Sequence, residues 1–129
     1  MDNIDRISTI IDSLVTYCLT AGPCSAAHGL PPLIQERAFL KHLNGDPAAA
    51  MVDTVDAIYL LNMLCDSDEE AAAWTDYEEA KTALPADLLA ELTPMLTAAE
   101  DGTYVCALRD RLEAAEWRDI DALVSQSAQ

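Results

Sequence analysis

Residues that stop one helix and start the next recur along the chain at intervals of about one helix length. Gly22-Pro23, Asn44-Gly45-Asp46-Pro47, Asp66-Ser67, Leu84-Pro85 and Asp101-Gly102 punctuate it. Between them the apolar residues repeat at steps of three and four. No segment shows the period-two alternation of a half-buried strand. A chain divided in this way buries its apolar stripes by packing helix on helix. The expected fold class is all-α, a single compact bundle of five to seven helices. One domain is expected over residues 1–125, with 126–129 a frayed tail.

The same punctuation sets the segments. Residues 2–20 place Ile4, Ile7, Ile11, Leu14, Val15 and Cys18 on one face, with Asp2 or Asn3 as cap. Residues 21–32 are rich in Gly and Pro and read as a loop. A second helix starts at Pro31 or Pro32, where a missing N–H costs nothing, and carries Leu33, Ile34, Leu40 and Leu43 inward. A third, capped by Asp46 and opened by Pro47, runs to about Cys65 with Met51, Val52, Val55, Ile58, Tyr59 and Leu64 inward. In the fourth, Ser67 and Glu70 match the reciprocal S-x-x-E cap, and Ala71, Trp74, Tyr77 and Leu84 form the inward line. Pro94 is expected to split residues 85–96 into two short helices, with Thr93 capping the restart. A last helix from Thr103 to about Val124, with a possible bend at Trp117, would bury Val105, Leu108, Leu112, Ile120 and Leu123.

Charge is the feature that bears on function. Twenty-three acids against seven bases give −16, where a small domain usually carries a magnitude of about 2 to 8. At 51% hydrophobic the chain is not an acidic disordered tail. Fourteen of the acids and a single base, Lys81, fall in residues 46–101, and the two ends are near neutral. Decoration for solubility, or adaptation to a salt-rich source, would spread more evenly, although a charge run is most often a solvated helix face. The sign is wrong for holding phosphates or an anionic membrane surface. It suits a basic protein such as a toxin, a nuclease or a nucleic-acid-binding protein. The candidate partner-binding residues are Asp53, Asp56, Asp66, Asp68, Glu69, Glu70, Trp74, Asp76, Tyr77, Glu78 and Glu79. Trp74 and Tyr77 share a helix face with Ala71 and Leu84, which fits core aromatics. Ringed by acids, they also fit interface anchors.

Chemistry is poorly represented. The phosphate-cradling, nucleophile-elbow and zinc-protease motifs are missing, and there are two histidines, His28 and His42. Cys18, Cys24 and His28 lie close in sequence, but their spacing matches no common zinc site, and no metal or cofactor is expected. The opening "MDNIDRISTI" is not an export signal and no run reaches 18 apolar residues, so a cytoplasmic location with reduced core thiols is expected. The reading is therefore a non-enzymatic inhibitor. It would be a toxin-neutralising immunity or antitoxin protein, or a decoy of a nucleic-acid-binding enzyme, working by steric and electrostatic occlusion. One alternative is a magnesium-dependent all-α nucleotide phosphohydrolase with Asp53 and Asp56 facing Glu69-Glu70 or Glu78-Glu79. A structural or assembly subunit is another.

Overall fold

The computed structural model of the chain describes residues 2–20 and 24–113. Its α-helices are α1 (Asn3–Thr20), α2 (Leu30–Leu43), α3 (Pro47–Met63), α4 (Ser67–Ala83) and α5 (Ala86–Asp101), with a 3₁₀ helix over Cys24–Gly29. Residues 109–113 are helical again. No strand occurs among the described residues. The fold is an all-α bundle.

Local chemistry sets most of the boundaries. Asp2 Oδ1 accepts the Asp5 N–H at 2.8 Å and caps α1. Asp46 Oδ1 accepts the Ala49 N–H at 3.2 Å ahead of Pro47, so α3 opens with the expected cap and first-turn proline. Gly45 (φ +80°) and Gly102 (φ +82°) take left-handed conformations after α2 and α5, where a Cβ would add strain.

α3 is the central element. α2 packs along one side of it, α4 along another, and α5 also touches it. It buries Ala50, Met51, Asp53, Val55, Ala57, Ile58, Leu60 and Leu61, more sides than a single stripe. Ala57 and Leu60 join a cluster with Ile7, Ile11, Val15 and Cys18 of α1, Leu30 and Ile34 of α2, and Cys106 and Leu112. Met51, Val55, Ile58 and Leu61 join a second cluster with Ala73 and Tyr77 of α4 and Leu96 of α5. Each such aliphatic side chain, fully buried, contributes about 1.5–3 kcal/mol. Tyr104 packs against both clusters.

Several sequence expectations are corrected here. The stretch 21–32 is not all loop, because the 3₁₀ helix runs directly into α2 at Leu30, ahead of Pro31 and Pro32. Val52 and Leu43 are exposed rather than inward, and Ala71 gives way to Ala73 as the inward alanine of α4. The S-x-x-E cap does not form, since Glu70 bonds Asn62 and Trp74 instead. α5 is continuous through Pro94. Pro94 and Ala90, whose carbonyl loses its partner, both face solvent, while Leu96 on another side is buried. Thr93 bonds the Leu89 carbonyl and caps nothing. Residues 103–106 are not helical, and Val105 is exposed while Cys106 is buried. The expectations for Trp117, Ile120, Leu123 and the tail lie outside the described residues.

Candidate functional site

The eleven candidate residues separate into three environments. The first is interior. Asp53 is 2% exposed and sits where α1, α2 and α3 meet. Arg37 grips it in a fork, Nε to Oδ2 at 2.9 Å and Nη2 to Oδ1 at 3.0 Å. Lys41, one turn further along α2, reaches Oδ2 at 2.9 Å. Arg37 also donates from Nη1 to Ser8 Oγ of α1 at 3.2 Å. Asp53 is therefore an internal tie and not part of a contact surface. A lone buried carboxylate would be strongly disfavoured, and two cations make this one tolerable. Asp56 is half-buried and accepts a hydrogen bond from the Tyr104 hydroxyl. Burial pushes its carboxyl above the ordinary range, against the lowering effect of bonds from Tyr104 and Cys106. Tyr77 is also withdrawn from any surface. It is fully buried, and its hydroxyl donates to Glu100 Oε2 at 3.1 Å.

The second environment is the exposed surface of α4. Asp68, Glu69, Asp76, Glu78 and Glu79 are all exposed. Asp68 and Glu79 lie opposite Ala73 and Tyr77, Asp76 and Glu78 on the two flanks, and Glu69 one turn before Ala73. Alanine and threonine fill the spaces between them. Lys81, the one base of residues 46–101, points along the inner flank and bonds both oxygens of Glu100 at 3.1 and 3.0 Å. Asp66, just before the helix, is partly buried and pairs with His28 Nδ1 at 2.8 Å.

The third environment is the two flanks of α4, each bordered by a cavity. On one flank a groove of about 430 Å³ opens between α2 and α4 over α3. Its floor includes Ala50 and Met51. One wall carries Phe39, which is 57% exposed, and the opposite rim carries Asp76 and Glu79. On the other flank a pocket of about 320 Å³ lies between α3, α4 and the turn after α5. Trp74 lines it, held by a 3.1 Å hydrogen bond from its Nε1 to Glu70 Oε2 and by edge-to-face contact with Tyr77 at 5.1 Å.

Comparison with protein-family models, curated proteins and solved structures finds no match.

The arrangement thus leaves five of the predicted acids exposed on α4 and separates Asp53, Asp56 and Tyr77 from them. Phe39, Tyr59, Tyr104, Glu100 and Asp101 were missed by sequence reasoning. For Phe39 a signal existed, because the only phenylalanine lies off the inward line of Leu33, Ile34 and Leu40. Tyr59 and Tyr104 share a cavity through an edge-on ring contact at 6.3 Å across 45 residues of sequence, which no local spacing announces. No group of three or more metal-ligating side chains converges among the described residues, and no described helix is long and apolar enough to cross a membrane.

Proposed function

We propose that the protein is a binding module that docks a basic protein across α4, with its most concrete form an inhibitor that occludes the partner's cationic site. The observation that supports this is the pairing of an acidic helix surface with an apolar groove. Asp76 and Glu79 belong to the exposed acids of α4 and also rim the groove beside exposed Phe39. Specific interfaces combine an apolar centre, which holds the complex, with a charged rim, which speeds encounter and fixes orientation. Clustered carboxylates without interspersed bases raise the association rate of a cationic partner and make it fall with salt. A toxin, or an enzyme that grips nucleic acid, would meet these carboxylates where it otherwise meets phosphates. Occlusion of that kind requires no bond to be made or broken by this chain.

The magnesium phosphohydrolase reading is the weaker one, because its first ligand is engaged. A cation at Asp53 would have to displace both Arg37 and Lys41. Titration calorimetry with Mg²⁺ separates the two, and tight binding lost in Asp53→Ala would favour the enzyme.

The direct test is affinity capture from the native cell extract with the wild-type chain and with Asp68→Lys/Asp76→Lys/Glu79→Lys. A captured basic protein should associate more slowly with the variant, and the salt dependence of its rate should flatten. Equal rates at low salt would remove the proposal.

A further inference from the structure

The pocket on the α5 flank of α4 is built differently from the groove, and it selects a narrower ligand. Its walls include three aromatics, Tyr59, Trp74 and Tyr104, and three carboxylates, Glu70, Glu100 and Asp101. Lys81 offsets one of these charges at Glu100, and Asp56 adds another behind Tyr104. Arg109 is engaged with Glu113. Aromatic rings attract cations through their negative faces, and carboxylates do so through charge. The two together exclude an anion and give an uncharged ligand no advantage. The volume, about 320 Å³, suits one side chain or small head group.

The geometry points to a guanidinium site: we infer that this pocket receives an arginine side chain of the basic partner. Among cations, arginine alone pairs a flat face that lies against aromatic rings with a fork of donors matched to carboxylates. The source of the arginine rests on the function proposed above, while the existence of the site does not. Glu70 and Asp101 retain acceptor capacity, while both oxygens of Glu100 are engaged by Lys81 and one also by Tyr77. Glu70 uses one oxygen on Asn62 and one on Trp74, and Asp101 uses one on Thr103. Those bonds also fix the walls in position, so little ordering is needed when the ligand enters. With the groove on one flank of α4 and this pocket on the other, a partner covering the acidic side could engage both.

The test is NMR titration of the isotope-labelled full chain with N-acetyl-arginine amide and with N-acetyl-citrulline amide, which has the same shape without the charge. The arginine compound should shift the Trp74 indole signal and the amides of residues 99–104 saturably. The citrulline compound should bind about tenfold more weakly. Glu70→Gln and Glu100→Gln, which keep the side-chain shape while removing the charge and one acceptor oxygen, should each weaken the arginine compound, and Glu79→Gln on the outer face should not. Equal binding of the two compounds, shifts that do not saturate, or shifts confined to the outer face of α4 would overturn the inference. The triple α4 reversal separates the two proposals. Arginine binding that survives alongside unchanged partner association removes the docking face and keeps the pocket. Altered partner association with no arginine binding in the wild type removes the pocket alone.

Discussion

Asp53 shows how one carboxylate can be moved from surface to interior by the residues opposite it. Spaced three residues from Asp56, it reads in sequence as one of an acidic pair. Arg37 and Lys41, one turn apart on α2, reach it instead and leave it 2% exposed. Removing it leaves two cations about one-fifth exposed without their counterion. Asp53→Ala should therefore cost about 3 kcal/mol, the lower end of the range for breaking a buried pair, since both cations retain some water. Urea unfolding measures it, and a loss below about 1 kcal/mol would show the tie to be a surface-type pair. Asp56 gives a pH-dependent counterpart. Its pKa is raised in the folded state, chiefly by burial, so its ionised form opposes folding. The neutral form's advantage is full below the unfolded value of about 3.9 and is lost as pH rises through the higher folded value. Asp56→Asn, neutral throughout, should therefore gain on the wild type as pH rises through that window. Paired melting curves across the carboxylate range test this, and a gap that does not change with pH would contradict it.

Helix boundaries were legible where the signals are local, and helix faces were legible only where one side is buried. α1 shows both. Its cap and its line of Ile7, Ile11, Val15 and Cys18 follow from spacing alone. α3 has the expected ends, but its faces depart from the spacing: Val52 is exposed and Asp53 is buried. The reason is that a helix packed on several sides carries no single apolar period from which a face can be read. Glu70 fits a capping motif by spacing, yet the indole of Trp74 and the amide of Asn62 compete for it successfully. The candidate acids of α4 were legible because charge and exposure usually coincide. The two cavities were not, because residues distant in sequence build them. α5 departs from expectation at Pro94, where apolar contacts around Leu96 outweigh the missing hydrogen bond. Pro94→Ala restores that bond at an exposed position and should stabilise the chain. A helix-interior proline costs about 3 kcal/mol, offset by up to about 1 kcal/mol of lost restraint on the unfolded chain. The net gain of about 2 kcal/mol should appear as a higher melting temperature. A lower one would mean that the helix depends on the restraint that Pro94 places on the backbone.

At the scale of the molecule, a charge of −16 sets folding against itself. The five exposed acids of α4 repel one another and their neighbours on α5, with no base of residues 46–101 left over to relieve them. Salt should therefore raise the melting temperature steeply between about 0.01 and 0.15 M, where the screening length falls from about 30 to about 8 Å. The triple α4 reversal should melt higher than the wild type at low salt while associating more slowly with the partner. Stability and binding moving in opposite directions would mark these carboxylates as retained for contact and not for folding. A reversal that melts lower would show that they support the fold.

Because Ala57 and Leu60 close one cluster while Met51, Val55, Ile58 and Leu61 close the other, α3 has no neighbour that can loosen without uncovering it. Its main-chain amides should accordingly be the last in the chain to trade protons for deuterons, at a rate set by global opening. Those of α4's outer turns should exchange by local fraying, so the face that would meet a partner can breathe while its backing stays closed.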